Sequence, residues 1–573
     1  MRHRVTRGAG RRGLACCRGI VHRNFANGVN ASRGFCYGDM TRSSGWGLDP
    51  VGIIPQLRRM SDRNARAAKQ KHVVVVGAGP GGLTAGMLLA HRGFKVTIVE
   101  KNDRVGGRNS EVRLGDYSFD LGPTFLHQKF CLDEIFAELG GKSEDHMEFV
   151  DLNPMTKLSW GGTSMHTFSD KEKMAGEVER VFPGSSGGFL RYMDEQGAKF
   201  RAIYPCLQYP YHKLSAFLRP DLIKALPHVL TTRSVHDVLG DYFEDERLKL
   251  AFTFQAKYLG MSPWHCPALF SILSFTEYRY GVYHVQGGLN RISQAMADVF
   301  TAMGGELRLQ SPVKQLIHQG RDISGVEFEN GGRLNADAVV VNADYGHAAT
   351  RLFNGRSVSE ERMRAKRFSC STFMMFLGLD KVYENEPHHH IIFADDYRAN
   401  VADIQSERHV SDDMSIYVRN SCITDPHVAP AGKSGLYILV PTINTRHGYD
   451  WESNKEAYAE KILRRIEERT SMKDLRSHIV EQRIVSPQDW ESSSIFIGAT
   501  FNLSHTLTQM LYFRPHNRYA GFNNCYLVGG GTHPGSGLPT IYESGRISAN
   551  LICDRFGVPY EPVDLASGYL QRA

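Results

Sequence analysis

Three glycines and one acid near the start of the chain have the types and spacing to hold a dinucleotide. Gly77, Gly79 and Gly82 form the pattern G-x-G-x-x-G, and Glu100 follows them at the end of the next apolar run. Glycines let backbone N–H groups approach a pyrophosphate, and a carboxylate at this distance accepts hydrogen bonds from ribose hydroxyls. A carboxylate disfavours a 2′-phosphate, so the pattern favours NAD or FAD over NADP.

A second glycine turn lies just beyond that acid. The stretch "RVGGR" contains Arg104, Gly106, Gly107 and Arg108. A nicotinamide enzyme has no need of a second such turn, whereas a longer cofactor lying beside it does, which favours FAD. The stretch resembles the "GG" motif of the superfamily of FAD-dependent amine oxidases, Rab GDP-dissociation inhibitors and carotenoid desaturases. The resemblance implies that Arg108 neutralises the pyrophosphate and that Gly106 and Gly107 let the backbone approach the cofactor.

The C-terminal region carries a third turn of the same kind. A predicted strand, Tyr526–Val528, leads into Gly529, Gly530 and Gly531, and a helix is predicted to begin near Leu538. A helix start aimed at the flavin pyrimidine edge would stabilise the negative charge that develops there on reduction. Two nucleotide-type turns at opposite ends of one chain therefore point to a single flavin.

The elements that must position these turns follow from the hydrophobic pattern. Strand Val73–Val76, a helix after Gly82 and strand Val96–Val99 form a βαβ opening. Further along, Leu289–Met303 predicts an amphipathic helix and Ala338–Val341 a buried strand. The predicted fold class is α/β: a Rossmann-type FAD-binding domain of the glutathione-reductase-like flavoprotein superfamily, interleaved with an α+β substrate-binding domain.

The domain boundaries follow from where these patterns change. The FAD-binding domain is predicted at residues 71–125, 283–350 and 523–560, and the substrate-binding domain at 126–282 and 351–522. Residues 561–573 form a C-terminal tail. Residues 1–70 form a leader expected to be disordered: either a transit peptide, or a segment before a true start at Met60.

Beyond the flavin motifs, the chain resembles the bacterial-type carotenoid (phytoene) desaturase family from about His72 to about Asp554. The stretches "DLGPTFL", "GVYHVQGGLNRI", "VNADYGHA", "FRPHNR" and "GGGTHPGSGLPTIYESGRISA" match family patterns in order. Three others, "AFTFQAKYLGMSPWHCPALFSIL", "PHHHIIFADDY" and "TQMLYFRPHNR", are most similar to the C30 dehydrosqualene (4,4'-diapophytoene) desaturase branch. The resemblance implies FAD, an apolar tunnel, stepwise desaturation of a polyene isoprenoid, peripheral membrane association, and oxygen or a quinone as electron acceptor.

The resemblance also assigns site residues. It places cofactor contacts at Gly77, Gly79, Gly82, Glu100, Lys101, Gly106, Gly107, Arg108, Val313 (through its backbone, near adenine), Gly529, Gly530 and Gly531. Desaturation needs a hydride acceptor, which flavin N5 supplies, and a sink for one proton. The best candidates for the proton acceptor are Glu543 and His533, and the alternatives are a helix N-terminal carboxylate and a turn-stabilising side chain, respectively.

Charge argues against a nucleic-acid partner. The net charge is +7, but residues 1–70 contain thirteen Arg and one Lys against three Asp, which leaves a mildly acidic body. No apolar run is long enough to span a membrane as a helix. We therefore expect a peripheral protein on the cytoplasmic face of a membrane, or in an organelle if the leader is a transit peptide.

Two further segments invite functional interpretations. His388, His389 and His390 suggest a metal site, but adjacent strand residues alternate faces and cannot converge on one ion, so we predict no metal. From Leu214, the segment "LSAFLRPDLIKALPHVLTTR" has apolar residues at helical spacing, among them Leu222. This stripe is either a membrane-interface face at the tunnel mouth or ordinary core packing.

Alternatives from other classes remain open at this point. A prenyl-lipid-binding chaperone similar to Rab GDP-dissociation inhibitors would use a related fold without FAD. A C40 phytoene desaturase forming zeta-carotene, neurosporene or lycopene would share every flavin motif. The same is true of a carotenoid oxygenase, an isomerase or a retinol-saturase-like enzyme.

Overall fold

A five-stranded parallel sheet carries the first glycine turn. The computed structural model describes residues 71–229 and 231–571, and the predicted leader lies outside them. Valines dominate the first strand because parallel strands covered on both faces favour β-branched residues throughout. In spatial order the strands are Cys525–Leu527 (β19), Ala338–Val341 (β13), His72–Val76 (β1), Lys95–Val99 (β2) and Glu306–Arg308 (β9).

Three helices cover this sheet next to the turns. Pro80–His91 (α1) packs against Asn290–Ala302 (α9) and Leu538–Phe556 (α15). The last two confirm the predicted helices. The first begins earlier than predicted: Gly82 lies inside its first turn rather than before it, because Pro80 has the fixed φ angle that suits the first position of a helix.

A seven-stranded sheet forms the second layer. Its strands come from residues 156–167 and 371–485, which lie in the segments predicted to bind substrate. One face packs on the long helix Trp451–Arg469 (α13), and the core there includes Phe373, Ile438 and Ile462. In spatial order the strands are Ile479–Val485 (β18), Ser371–Leu379 (β14), Ser434–Thr442 (β17), Ile416–Asn420 (β16), His389–Ile392 (β15), Thr156–Trp160 (β6) and Thr163–Thr167 (β7).

Smaller elements complete the described chain. The remaining strands are Glu111–Leu114 (β3), Tyr117–Asp120 (β4), Phe149–Asp151 (β5), Tyr283–Val285 (β8), Val313–Gln319 (β10), Asp322–Phe328 (β11) and Arg333–Asn335 (β12). The remaining α-helices are Phe130–Glu138 (α2), Lys171–Val181 (α3), Ser186–Leu207 (α4), Pro220–Val229 (α5), Val235–Leu239 (α6), Glu246–Ala251 (α7), Ile272–Tyr280 (α8), Tyr345–His347 (α10), Glu360–Arg364 (α11), Tyr397–Ser406 (α12), Pro487–Ser492 (α14) and Ala566–Gln571 (α16). The domain boundaries stay predictions, although the strands of each large sheet fall inside the predicted segments.

The segment predicted as a C-terminal tail ends in a docked helix. The backbone N–H groups of Leu565 and Ala566 donate to Glu134 Oε1 at 2.9 and 2.8 Å. Glu134 Oε2 accepts from Arg546 at 2.7 Å, and the ring of Tyr569 stacks on α2. One buried carboxylate thus fastens the tail to α15.

The apolar stripe after Leu214 is divided between core and surface. Leu222 is 2% exposed and packs inward, so it is no part of an outer face. Leu214, Leu218 and Ile223 are instead 69%, 77% and 53% exposed. Ordinary packing therefore explains Leu222, and a different set of side chains faces outward. In the described part of the chain, no helix is long and apolar enough to cross a membrane.

Candidate active site

One cavity of about 1390 Å³ joins the two large sheets. It begins at the glycine turns and extends over the seven-stranded sheet. Of the predicted cofactor residues, Gly82 lies beneath the wall and the others line it: Gly77, Gly79, Glu100, Lys101, Gly106, Gly107, Arg108, Val313, Gly529, Gly530 and Gly531. Folding thus brings together residues more than 400 positions apart along the chain.

The first turn requires glycine for two different reasons. Gly77 has a φ angle of +102°, in the left-handed region that L side chains rarely adopt. A Cβ atom at Gly82 would lie 2.2 Å from the carbonyl oxygen of Gly77. The turn is therefore closed so tightly that its N–H groups and the start of α1 face the cavity.

Asn342 links the two turns and was not identified from the sequence. Its Nδ2 donates to the Gly77 carbonyl at 3.2 Å. A Cβ at Gly79 would lie 2.8 Å from that Nδ2, and one at Gly529 would lie 3.3 Å from its Oδ1. Its position directly after the buried strand β13, at the carboxyl end of a parallel strand, is the signal that could have identified it.

Glu100 is held rigidly at the edge of the cavity. Its Oε2 accepts from the N–H of Ala78 at 2.8 Å, and Oε1 accepts from the N–H and Nδ2 of Asn102 at 2.9 and 2.8 Å. Each carboxylate oxygen has more than one lone pair, so the group can also accept from ribose hydroxyls. Its neighbour Lys101 donates to the carbonyl of Ser493, and burial lowers the pKa of Lys101.

Arg108 places a cation on the wall near the first turn. Its Nη1 donates to the Thr500 carbonyl at 2.6 Å and lies 3.8 Å from Asp344 Oδ2. Among the described residues, Thr500 Oγ1 has no hydrogen-bond partner although it is buried. A Cβ at Gly107 would meet only Gly79 Cα, at 3.6 Å. This cation, the unpaired hydroxyl and the open backbone suit a bound pyrophosphate, so the residues present fit FAD.

A buried arginine supports the C-terminal turn. Arg514 is 1% exposed and donates to the carbonyls of Gly530 and Thr532 at 2.5 and 3.0 Å. Burial lowers its pKa to about 9. Gly529 has a φ angle of +107°, and Gly537, at +113°, precedes α15. Arg514 was not identified from the sequence, because only the folded chain shows its carbonyl partners.

Neither predicted proton acceptor belongs to the wall formed by the described residues. Glu543 lies behind it, where Arg546 Nη1 is 3.7 Å from Glu543 Oε1 and burial raises the pKa of the carboxyl. His533 packs edge-on against Tyr211, and burial lowers the pKa of its imidazole to about 3. Their catalytic roles stay predictions.

The far half of the cavity is a chamber on the face of the seven-stranded sheet opposite α13. Apolar side chains dominate it, and two tyrosines add hydroxyl groups. The wall residues from this sheet and its neighbourhood include Phe254, Met374, Ile391, Phe393, Tyr417, Tyr437 and Leu439. An apolar chamber of this kind is suited to a hydrocarbon ligand.

Within the histidine triad, His389 and His390 lie on opposite faces of the sheet, as strand alternation requires, whereas the rings of His388 and His389 lie 4.4 Å apart. His389 Nδ1 lies 2.8 Å from Tyr417 Oη on the cavity side of β15. His390 faces the other side, where its Nε2 lies 2.7 Å from Ser159 Oγ and its Nδ1 lies 3.0 Å from Glu386 Oε2. Within the described residues, no group of three or more His, Cys, Asp or Glu side chains could hold a metal ion.

Comparisons with known proteins place the chain in a flavoprotein family. Residues 80–553 match the family model "Flavin containing amine oxidoreductase". A 4,4'-diapophytoene desaturase (4,4'-diapolycopene-forming) from Methylomonas sp. is 47% identical over 88% of this chain and 99% of its own length. A neurosporene-forming phytoene desaturase from Rhodobacter capsulatus is 34% identical over 84% of this chain and 94% of its own.

A solved structure shows the same fold at low sequence identity. Cyclohexylamine oxidase from Brevibacterium oxydans superposes with a TM-score of 0.54 at 15% identity, covering 85% of this chain and 99% of that one. The predicted fold class, the FAD cofactor and the enzyme class are confirmed. The chain belongs to the flavin-containing amine oxidoreductase family and, within it, to the FAD-dependent carotenoid desaturases.

Proposed function

We propose that this protein desaturates a linear C30 isoprenoid, dehydrosqualene (4,4'-diapophytoene), stepwise towards diaponeurosporene or diapolycopene. The main support for this proposal is the continuous cavity, which extends from the nucleotide turns into an apolar chamber. Its volume of about 1390 Å³ exceeds that of pockets for one small ligand, about 300–1,000 Å³. There is thus room for a cofactor and a hydrocarbon side by side.

The chain's own residues bind, orient and exclude water. The glycine turns hold the nucleotide, and side chains such as Met374, Phe393 and Leu439 surround the hydrocarbon. When bound, FAD supplies the two-electron acceptor that an unactivated CH2–CH2 unit needs. Because an apolar chain offers no polar groups to grip, orientation must come from the shape of the chamber.

Substrate length is tested by supplying each precursor separately. We would express the protein in a colourless bacterial host with a C30 dehydrosqualene synthase or with a C40 phytoene synthase, and identify pigments by mass and absorbance. We expect conjugated C30 pigment in the first host and little C40 pigment in the second. Predominantly C40 pigment would favour the phytoene desaturase alternative, and no pigment in either host would refute the proposed desaturation.

We also propose that the protein binds a membrane surface peripherally, since its substrate dissolves only in lipid. The outward side chains of Leu214, Phe217, Leu218 and Ile223 form an exposed apolar surface, which we call the 214–223 patch. Lys213 and Lys224 are also exposed, as is typical of interfacial segments that meet anionic headgroups. We place the protein on the cytoplasmic face of the membrane in this proposal. The proposed electron acceptor is oxygen or a quinone.

Liposome sedimentation tests the membrane proposal. The double variant Leu218→Asp/Ile223→Asp changes two exposed residues of the 214–223 patch, and Val480→Asp changes an equally accessible residue, 50% exposed, on β18. We expect the double variant to lose binding to vesicles of phosphatidylcholine and phosphatidylglycerol, and Val480→Asp to retain it. Equal binding by all three proteins would contradict the proposal.

A further inference from the structure

A hydroxyl backed by an imidazole lies on the wall of the apolar chamber. Tyr417, on β16, lines the cavity, and its Oη lies 2.8 Å from His389 Nδ1 and 2.7 Å from Thr124 Oγ1. His389 is 1% exposed, and its Nε2 has no hydrogen-bond partner among the described residues. Both distances lie within the range at which protons move between heteroatoms.

This pair lies where the two halves of the cavity meet. Thr124 follows Gly122 and Pro123, which line the nucleotide side of the cavity. Tyr437 donates to the Gly122 carbonyl at 2.8 Å, and its ring lies 5.9 Å from that of Tyr417. A hydrocarbon in the chamber that also reaches the nucleotide side therefore passes the Tyr417 hydroxyl.

Desaturation leaves a proton that the site must accept. If the proposed function is correct, each step removes a hydride from one carbon and a proton from its neighbour. Among the charged side chains on the wall, Glu100 and Arg108 belong to the nucleotide half and Arg483 lies on the edge strand β18, while Glu543 and His533 lie behind the wall. Tyr417 combines contact with the chamber and a direct link to a base, His389.

We propose that Tyr417 is a catalytic residue that takes the proton released during desaturation and passes its own hydroxyl proton to His389. The inference rests on the proposed function. The electron pair of the broken C–H bond becomes the second bond of the new C=C. The substrate proton forms a bond to Tyr417 Oη, and the proton already on that oxygen moves to His389 Nδ1. Bound FAD would supply the acceptor for the hydride from the neighbouring carbon with its two electrons, so atoms and charges balance.

The surroundings of His389 keep it ready to accept. Burial, together with the positive charge of Arg419, holds the pKa of His389 well below its usual range, so the imidazole is neutral before each step. His284 and His127 also face it. A weak base suffices, because a C–H bond next to an electron-deficient carbon is strongly acidic. The same low pKa favours prompt release of the proton after each step.

His390 provides a matched control on the same strand. It is as buried as His389, but it contacts Ser159 and Glu386 on the opposite face of the sheet, whereas His389 contacts Tyr417. The same substitution at His389 and His390 therefore separates loss of a buried imidazole from loss of this proton route.

The experiment compares Tyr417→Phe, His389→Gln, His390→Gln and the Tyr417→Phe/His389→Gln double variant. Each purified holoenzyme receives diapophytoene in phosphatidylcholine liposomes under single-turnover conditions, with unlabelled substrate and with substrate deuterated at the proton-losing carbon. We record the appearance of conjugated polyene, the bound flavin and the thermal midpoint. Tyr417→Phe keeps the aromatic ring and its packing, so this variant still tests the proposal if His389→Gln lowers the stability of the protein.

We expect Tyr417→Phe and His389→Gln each to slow polyene formation by about 100-fold and to raise the isotope effect at the labelled carbon, with flavin content unchanged. The double variant should be no slower than the slower single variant, because the two groups act in sequence. His390→Gln should keep the wild-type rate and isotope effect.

A wild-type rate and isotope effect in Tyr417→Phe would overturn the proton route alone. So would a slow Tyr417→Phe beside an unaffected His389→Gln. If the wild-type protein forms polyene from neither diapophytoene nor phytoene, the proposed function fails first, and the two failures are thereby distinguished.

Discussion

The nucleotide half and the chamber half of the cavity are built in different ways. In the first, consecutive residues form each turn, and one side chain, Asn342, lies between the turns and donates to the Gly77 carbonyl at 3.2 Å. In the second, the wall is a sheet face whose polar groups, such as Tyr417 and Tyr437, come from separate strands. The first half depends on backbone geometry, and the second on which face a residue occupies.

The largest effect should come from closing the first turn. Gly82→Ala places a methyl group 2.2 Å from the Gly77 carbonyl oxygen. Relief of this clash requires the backbone of the turn to move away from the first turn of α1, which would disrupt the start of that helix. We expect the purified protein to contain no flavin, measured by the ratio of absorbance at the flavin and protein bands. Gly176→Ala in α3, where nothing lies within 4 Å of the added Cβ, is the control and should bind flavin normally. Full flavin content in Gly82→Ala would show that the turn is not the cofactor cradle.

A charge in the chamber should impair desaturation without affecting flavin binding. Leu439→Asp puts a carboxylate on the apolar wall, where desolvation opposes binding of a hydrocarbon beside it. We expect pigment to fall by at least about tenfold, the equivalent of about 1.4 kcal/mol, while bound flavin stays constant. Val480→Asp on the outer strand should change neither. Loss of flavin in Leu439→Asp would mean that the halves are not independent.

Removing the link between the turns should weaken cofactor binding without preventing it. Asn342→Ala deletes the donor to the Gly77 carbonyl, and a hydrogen bond of this kind contributes about 1 kcal/mol. We expect the dissociation constant for FAD, from titration of the apoprotein, to rise by about five- to tenfold. Unchanged affinity would show that each turn holds the cofactor by itself.

The smallest effect is expected on the face of the sheet away from the chamber. Hydrogen bonds from His390 and Ser471 lower the pKa of Glu386 from 4.5 to about 2, against the opposing effect of burial. A depressed carboxylate pKa stabilises the fold above pH 4.5, and this stabilisation is lost as the pH falls from 4.5 towards 2. At pH 7, the Glu386→Gln variant should therefore unfold at a lower urea concentration than the wild type. Below pH 4.5 the two urea midpoints should converge, and desaturation should be unchanged. Reduced desaturation by the folded Glu386→Gln variant at pH 7 would contradict a purely structural role for this face.

Much of the nucleotide half could be predicted because its information is local. A run of valines, three spaced glycines and an acid specify a strand, a turn and a helix start within thirty residues. Eleven of the twelve predicted cofactor residues line the cavity. Asn342 and Arg514 were missed, because their partners are backbone atoms that approach only when distant segments pack.

Prediction was weakest where a role depends on the direction of a side chain. Glu543 and His533 belong to a motif next to the flavin turn, yet both point away from the cavity. Helical spacing after Leu214 could not reveal that Leu222 faces the core while Leu218 faces outward. In each case the packing of neighbouring elements, which sequence spacing does not encode, decides the direction.

By itself, the sequence determined the cofactor class and the parallel sheet, because glycine spacing and runs of β-branched residues are local constraints. Only the tertiary structure decided which histidine faces the chamber. Strand order places β15 beside β16, so that His389 meets Tyr417 while His390 meets Glu386 on the other face. That pairing depends on the register between two strands that are far apart along the chain. The alternation of side chains along a strand can be read from the sequence, but the sequence does not show which face of the strand points towards the chamber.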